Sequence, residues 1–374
     1  MQAETASIYI HIPFCASFCD YCDFYSVLAE ENAEIIDAYL IALIRDLKNQ
    51  IEYFEVKEIP TVYIGGGTPS VLGKKISLLF DELNKMPFSF PKEFTIEANP
   101  ESITEDFLCA CKNGGVNRLS AGVQTFLQSS RNAVNRGYDT QEIEKKLNLI
   151  KKYFPDEFCA DLMIGLPYQN EKTVSEDINK ILEYAPSHIS LYSLTVERNT
   201  PLERKIKTKT VNLPDSETAD SLWLLARDKL LSECFNHYEV SNFAKEDSQC
   251  RHNLRYWNMQ NWIGAGPAAS GTIINEKTSS AARFTYPNDI NAYIKSPNLE
   301  TAVFEQLDKN MLIRESLLMG YRLKNGPDPE IFKRRFGCPA EDCIPKTTEK
   351  WKGKDKLLFL NKFILDAFYE LEEN

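Results

Sequence analysis

The amino-acid sequence predicts an α/β fold, a partial barrel of six βα units with a smaller, mainly helical C-terminal domain. Three observations predict it. Six strand-like apolar runs occur in the first half of the 374-residue chain, helical patterns separate them, and further helical patterns dominate from Asp289 onward. Strands that alternate with helices are typical of βα units in a parallel sheet.

The six predicted strands end in polar or glycine-containing turns. They are SIYIHIP, TVYIGG, EFTIEANP, NRLSAGVQ, FCADLMIGLP and HISLYSL. Turns of this kind favour a barrel, because the chemistry of βα barrels gathers at the carboxyl ends of the strands. A doubly wound sheet stays open as the alternative architecture.

The helical patterns carry apolar residues at three- and four-residue steps. NAEIIDAYLIALIRDLKNQIEYF follows the first strand, and TEDFLCACKNG opens on a threonine cap and closes on glycine. After about residue 205 comes the amphipathic PDSETADSLWLLARDKLLSECF, then a loop-rich aromatic stretch to about Thr272, and finally helices such as NMLIRESLLMGYRL and KDKLLFLNKFILDAFYELEE. We therefore expect three units, residues 1–205, 206–285 and 286–374.

Composition limits the classes of function. The formal net charge is -11, so the chain has no general attraction for phosphate backbones, and a nucleic-acid partner is not expected. No apolar window is long enough to span a bilayer, and MQAETASIYI does not read as a secretory signal. We expect a cytoplasmic protein. Its ten cysteines then favour metal binding over disulfides.

Three of the cysteines lie within eight positions. Cys15, Cys19 and Cys22 follow the first predicted strand at CxxxCxxC spacing, and no fourth Cys or His comes soon after them. A structural zinc site takes four ligands, whereas a cubane iron–sulfur cluster on three thiolates keeps one iron open for a small molecule. The spacing favours the open cluster; zinc and a chance group of buried thiols remain alternatives.

This motif resembles the signature of radical S-adenosylmethionine (radical SAM) proteins, which lies on the first loop of a partial (β/α)6 barrel. The resemblance implies a [4Fe–4S] cluster whose open iron binds the methionine part of S-adenosylmethionine. It also implies that the reduced cluster cleaves the cofactor to a 5′-deoxyadenosyl radical, chemistry that the cofactor supplies and the protein positions.

Further residues fit such a cofactor pocket. Glycines after the second strand let the backbone approach a ligand closely, and Glu97 ends the third strand, where its carboxylate can accept hydrogen bonds from ribose or amino groups. Each of these residues, taken singly, is as well explained by an ordinary turn or a satisfied barrel-end side chain. The resemblance assigns cofactor contact to Tyr9, Gly66, Gly67, Thr68, Glu97, Gln124, Arg136 and Asp161, some of them to a second cofactor molecule.

Within the superfamily, YIHIPFC, GGGTP, GVQ and DLMIGLP resemble both oxygen-independent coproporphyrinogen III oxidases and their relatives, the radical SAM heme chaperones. Two departures favour the chaperones. The oxidases have a further cysteine two residues after the third, where this chain has Phe24, and they carry an extension before the signature, whereas Tyr9 nearly starts this sequence.

The segment CRHNLRYW resembles the HNxxYW motif proposed to bind heme in the chaperones. His252, Asn253, Tyr256 and Trp257 are the candidate heme residues, since imidazole is a common axial ligand and aromatic rings can cover a porphyrin. A buried histidine packed among aromatic residues is the competing interpretation, and Cys250 is an alternative ligand. Relatives usually continue as GPGAHS, but here Ser270 replaces the histidine, which puts heme binding of the usual kind in question.

The leading hypothesis is thus a heme chaperone with an iron–sulfur cluster, S-adenosylmethionine and heme as cargo. Its expected partners are a heme-accepting protein and an electron donor such as a flavodoxin or ferredoxin, with membrane contact only peripheral, through a recipient. The alternative is coproporphyrinogen oxidation or another radical reaction on a tetrapyrrole. The remaining cysteines are expected to be structural; they are Cys109, Cys111, Cys159, Cys234, Cys338 and Cys343.

Overall fold

The computed structural model of the protein describes residues 2–86 and 91–373. Within this part of the chain, one sheet of twelve strands organises the fold. In chain order its strands are β1 Ser7–Ile12, β2 Thr61–Gly66, β3 Glu93–Ala98, β4 Arg118–Gln124, β5 Phe158–Ile164, β6 His188–Ser193, β7 Asn236–Glu239, β8 Asn242–Ala244, β9 Trp262–Ala265, β10 Ser270–Asn275, β11 Ser280–Thr285 and β12 Val303–Leu307.

Strands β1 to β6 lie side by side in sequence order, and all are parallel. This order confirms the six predicted strands and the partial (β/α)6 barrel. The sheet does not close on itself. Instead β9 extends it beyond β1 as a further parallel strand, and β8 extends it beyond β6 as an antiparallel one.

The α-helices mostly match the predicted helical patterns. They are α1 Ile36–Tyr53, α2 Ser77–Leu83, α3 Glu105–Asn113, α4 Gln128–Ala133, α5 Thr140–Tyr153, α6 Glu171–Leu182, α7 Pro201–Lys207, α8 Ser216–Ser232, α9 Arg251–Trp257, α10 Ile290–Lys295, α11 Lys309–Gly320, α12 Pro329–Phe336, α13 Ala340–Cys343, α14 Pro345–Lys350 and α15 Leu360–Glu373. Thr104 caps α3 as predicted, its hydroxyl accepting a hydrogen bond from the Phe107 amide. None of the helices within the described ranges is both long and apolar enough to cross a membrane.

Two local predictions were wrong. The stretch expected to be loop-rich, up to about Thr272, contains the strands β7 to β9 and the start of β10, because short aromatic segments there pair with the edges of the barrel sheet. The last helix begins at Leu360 rather than near Lys354. The Asp355 carboxylate accepts the amides of Leu357 and Leu358 and so stabilises a turn in place of the first helical residues.

The barrel strands present apolar side chains to the helices and polar ones to the interior. In β1, Ile8, Ile10 and Ile12 are fully buried in the core that packs against the helices. Ser7 instead accepts a hydrogen bond from Thr61 of β2 at 2.7 Å, within the barrel. Because successive side chains of a strand point to opposite faces, the same alternation gives the barrel a polar interior. A second core joins β10 and β11 to the C-terminal helices.

The bend that follows β4 is held by buried polar contacts. Gln124, the last residue of β4, has φ +67°, a conformation that non-glycine residues rarely adopt. The Arg131 guanidinium donates to the carbonyls of Val123 and Thr125 at 2.8 and 3.2 Å. The Asp177 carboxylate accepts from the Thr125 hydroxyl and the Phe126 amide at 2.6 and 2.7 Å. These contacts fix the direction in which β4 enters the rim of the barrel.

Asp177→Ala should lower the free energy of unfolding by about 1–3 kcal/mol, because it leaves two buried donors without an acceptor. The neighbouring Glu176→Ala is the matched control, since Glu176 is exposed and makes a 3.8 Å contact with Lys172. Urea denaturation measures both. Equal losses in the two variants would contradict a special role for Asp177.

Candidate functional site

A cavity of about 600 Å³ opens at the carboxyl ends of the barrel strands. It is lined by all three signature cysteines and by seven of the eight residues assigned to the cofactor by resemblance. These ten residues are Cys15, Cys19, Cys22, Gly66, Gly67, Thr68, Glu97, Gln124, Arg136 and Asp161. Tyr9 is the exception. Its hydroxyl lies 3.1 Å from Nδ1 of His11, and its ring stacks on Tyr63.

The three signature cysteines lie on one loop after β1, which we call the cysteine loop. Its base is closed by a short parallel ladder of Phe14–Cys15 with Val27–Leu28. Cys15 is buried, while Cys19 and Cys22 are half-buried at the cavity. Burial raises the pKa of the Cys15 thiol, and it raises the pKa of the Cys22 thiol to about 11. Asp20 pairs with Lys205 of α7 at 2.5 Å, which ties the middle of the loop to the barrel.

The three thiols lie on one loop beside the cavity. Within the described residues, no three His, Cys, Asp or Glu side chains are grouped closely enough to hold one metal ion. A [4Fe–4S] cubane is larger than an ion and takes its thiolates at separate corners. The cavity beside the thiols has room for a ligand on an open iron.

The glycines of GGGT allow tight packing between this segment and the cysteine loop. A Cβ on Gly66, which has φ +111°, would lie 2.6 Å from the His11 ring, and one on Gly67 would lie 2.8 Å from the Phe14 carbonyl oxygen. The amides of Gly67 and Thr68 donate to the carbonyls of Ile12 and Phe14. Both glycines are therefore required for packing within the protein, and the amides of Gly67 and Thr68 already have protein acceptors.

Two carboxylates lie below the cavity mouth. Burial raises the pKa of Glu97 to about 7; the Tyr63 hydroxyl, which donates to Glu97 at 2.7 Å, opposes this rise, and the nearby Asp161 adds to it. Burial also raises the pKa of Asp161, against hydrogen bonds from Ser190 and Ser120. Glu97 thus changes its charge near neutral pH, which makes its environment unlike that of an ordinary surface carboxylate.

Gln124 and Arg136 both retain a buried polar atom without a partner in the described structure. These atoms are Oε1 of Gln124 and Nε of Arg136. Buried polar groups are nearly always hydrogen-bonded, so two unpartnered atoms on residues that line the cavity are consistent with a site that receives a polar ligand. The residues present therefore fit a cofactor such as S-adenosylmethionine.

Sequence reasoning missed several residues of this site. Asn99 donates to the Thr68 hydroxyl at 3.0 Å and accepts from Arg136 at 2.7 Å, so it connects two cofactor candidates. Tyr21, inside the cysteine loop, accepts from Arg136 at 2.9 Å. Asn99 follows directly after the third strand, which was a usable signal. Nothing in the sequence around Tyr21 indicated its partner.

The candidate heme residues lie elsewhere, on α9 at the opposite end of the barrel. The α9 helix contacts the first residues of the strands: the Glu93 carboxylate of β3 accepts the amides of Arg251 and His252 at 2.7 and 2.9 Å, and Thr61 of β2 bonds His252 Nδ1 at 2.8 Å. His252, Asn253, Tyr256 and Trp257 do not line the 600 Å³ cavity. The structure therefore separates them from the cofactor candidates.

His252 is almost completely enclosed. It is 1% exposed, and its ring stacks on Tyr63 with centroids 5.1 Å apart. Burial lowers its pKa to about 3, and the charges of Arg255 and Arg118 contribute. Its Nε2 is buried without a hydrogen-bond partner among the described residues. In this conformation the imidazole ring is packed like that of an ordinary core residue, but its Nε2 atom is left without a hydrogen bond.

Asn253, Tyr256 and Trp257 are half-buried. Tyr256 packs edge-on against His252, and the Trp257 ring faces the Arg322 guanidinium at 5.3 Å, at the junction with the C-terminal helices. Ser270 starts β10, and its hydroxyl is 2.9 Å from that of Thr285. Ser270 thus bonds within the sheet and does not line the cavity.

None of the other seven cysteines lines the cavity. Cys159 is buried with its sulfur 2.9 Å from His188 Nδ1, and the Cys250 sulfur lies 3.6 Å from Glu93. Cys338, in the turn between α12 and α13, and Cys343, at the end of α13, have their sulfurs 3.7 Å apart. None of them completes the ligand set of the signature cysteines.

Comparison with known proteins agrees with this geometry. Residues 9–181 match the radical SAM superfamily. The chain is 32% identical over 344 residues to the heme chaperone HemW of Lactococcus lactis, covering 91% of this chain and 88% of that one. It is 35% identical over 269 residues to HemW of Escherichia coli, covering 71% and 70%.

A solved structure shows the same fold. Coproporphyrinogen III oxidase (HemN) from Escherichia coli, described as a radical SAM enzyme, superposes with a TM-score of 0.82 at 21% identity, covering 98% of this chain and 90% of that one. This likeness in structure supports the fold. Since sequence identity of this level extends over nine-tenths of the chain, the protein belongs to the radical SAM superfamily and, within it, to the heme chaperone HemW family.

Proposed function

We propose that this protein holds a [4Fe–4S] cluster and S-adenosylmethionine, binds heme, and delivers the heme to acceptor proteins. One observation carries the cofactor part of the proposal: three thiols and seven of the eight predicted cofactor residues line a single cavity at the rim of the barrel. The relatives named as heme chaperones support the heme part.

In this proposal Cys15, Cys19 and Cys22 ligate the cluster. When bound, the cluster and S-adenosylmethionine supply redox and radical chemistry that no side chain provides. The protein binds and orients the cofactor through residues of the rim. These are Gly66, Gly67, Thr68, Glu97, Gln124 and Asp161. Tyr9 supports them from below through His11, which packs against Gly66.

The three units predicted from the sequence form part of the proposal. Residues 1–205 carry the cluster and the cofactor, residues 206–285 carry the candidate heme segment, and residues 286–374 form the mainly helical C-terminal unit. We place the protein in the cytoplasm, with a flavodoxin or ferredoxin as the electron donor. The net charge of -11 gives no reason to add a nucleic-acid partner.

The deciding experiment starts with anaerobic reconstitution with iron and sulfide. We expect about four irons per chain, a spectral change on adding S-adenosylmethionine, and transfer of bound heme to an apo-acceptor such as apomyoglobin. Cys22→Ala should take up little iron, whereas Cys109→Ala, a substitution far from the cavity, should load normally.

The same protein, given reductant and coproporphyrinogen III, tests the alternative function. A heme chaperone leaves the substrate unchanged. Formation of decarboxylated porphyrin would identify an oxidase instead. Failure of the wild-type protein to bind about four irons would remove the basis of both functions.

The affinity for S-adenosylmethionine should depend on pH through Glu97. The pKa of this carboxyl is about 7, so raising the pH from 6 to 8 produces the carboxylate, which accepts hydrogen bonds from the cofactor and attracts its positive charge. Binding should tighten over this range. In Glu97→Gln the dependence should flatten, whereas in the exposed control Glu105→Gln it should persist. Titrations of the cluster spectrum with cofactor at each pH provide the test; identical profiles in wild type and Glu97→Gln would exclude Glu97.

Heme binding should depend on His252 if α9 moves away from β2, because only then can iron reach Nε2. His252→Ala should lose the Soret shift on adding heme while it keeps the cluster absorbance. His237→Ala is the control, since it removes another buried imidazole, one that stacks on Phe243. Unchanged heme affinity in His252→Ala would show that His252 does not bind heme and only packs against the strands at the amino end of the barrel.

A further inference from the structure

Arg136 stands at the centre of a buried hydrogen-bond network beside the cysteine loop. It is 7% exposed. Its Nη1 donates to the Cys19 sulfur at 3.2 Å and to the Tyr21 hydroxyl at 2.9 Å. Its Nη2 donates to Asn99 Oδ1 at 2.7 Å and to the Gly122 carbonyl at 2.8 Å. The Nε donor is buried and has no partner among the described residues.

This geometry limits what Arg136 can offer a cofactor. A guanidinium carries five N–H donors, and two parallel ones are needed to grip a carboxylate in the bidentate mode. Four contacts already go to protein acceptors, which leaves the Nε donor. Arg136 is therefore poorly suited to a bidentate grip on the carboxylate of S-adenosylmethionine, and the cofactor contact that the resemblance assigns to it is limited to Nε.

We propose that Arg136 is a positioning residue for the iron–sulfur cluster: it holds the Cys19 sulfur at the cavity and donates a charge-assisted hydrogen bond to it. This inference rests on the proposed function, since it assumes that Cys19 ligates the cluster. Hydrogen bonds to the sulfurs, together with nearby positive charge, stabilise the more negative, reduced cluster and raise its reduction potential. Arg136 thereby makes the cluster easier to reduce.

The rest of the loop supports this role. Lys205 pairs with Asp20 at 2.5 Å, and the Asp20 amide donates to the Val134 carbonyl, two residues before Arg136. The segment between Cys19 and Tyr21 is therefore held from both sides. By comparison, the Cys15 sulfur accepts a longer hydrogen bond, of 3.7 Å, from the uncharged Thr68 hydroxyl. Among these contacts, the one from Arg136 to Cys19 combines charge with short distance.

The test compares Arg136→Gln and Arg136→Lys with one control. Arg335→Gln removes another buried arginine, which pairs with Glu276 at 2.8 Å in the C-terminal unit. For each reconstituted protein we would measure iron content, the melting temperature, the midpoint potential by EPR-monitored redox titration, and the dissociation constant for S-adenosylmethionine.

In Arg136→Gln we expect the equilibrium constant for reduction of the cluster to fall about tenfold. This corresponds to a midpoint potential lower by about 59 mV for a one-electron couple. The dissociation constant for S-adenosylmethionine should change less than threefold. Arg136→Lys, which keeps the charge, should show a smaller fall, and the Arg335→Gln control should keep the wild-type potential. An unchanged potential in Arg136→Gln, with cofactor binding weakened tenfold or more, would overturn the proposal and make Arg136 a cofactor clamp.

Poor iron uptake by the Arg136 variants would also test the proposal. If both Arg136 variants take up little iron at an unchanged melting temperature, while Arg335→Gln loads normally, Arg136 is needed to position Cys19. If their melting temperature falls as well, Arg136 serves the fold and the proposal is wrong. A wild-type protein that binds no cluster would instead contradict the proposed function, so the two failures are distinguishable.

Discussion

The whole site depends on the parallel pairing of six strands in sequence order. This pairing brings the carboxyl ends of all six strands to one rim, and each following loop therefore adds its residues to the same cavity. Cys15 comes after β1, Thr68 after β2 and Arg136 after β4, yet they meet within hydrogen-bond or cavity distance. A reversal in the strand order would place some of these loops far apart.

The two ends of the barrel are closed in different ways. At the carboxyl end the polar interior opens into the cavity. At the amino end α9 covers it, with the Glu93 carboxylate accepting two of its first amides and His252 packed on Tyr63. Tyr63 also donates to Glu97, so a single ring separates His252, the candidate heme ligand, from the Glu97 carboxylate, a candidate for cofactor binding. Heme at His252 would require displacement of α9, whereas a ligand in the cavity would require no such change.

Local signals in the sequence were sufficient for the strands, most helices and the signature residues. The spacing of the three cysteines and the run of glycines can be recognised in the sequence alone, because their chemistry depends on residues that are close in the chain. The partners of Arg136 were not predictable in this way, since Tyr21 is 115 residues away and Asn99 is 37 away. The strands β7 to β9 were missed for a similar reason: their edges are stabilised by pairing with distant strands rather than by a strong local pattern.

The sequence by itself determined the order of the βα units, the cysteine motif and the resemblance to a family, because periodicity and spacing are properties of neighbouring residues. Only the tertiary structure decided that the Arg136 guanidinium donates hydrogen bonds to Cys19, Tyr21, Asn99 and Gly122. Only the tertiary structure likewise decided that His252 is buried at the amino end of the barrel. Both results depend on contacts between residues far apart in the chain, which form only when the strands pair and α9 packs beneath them.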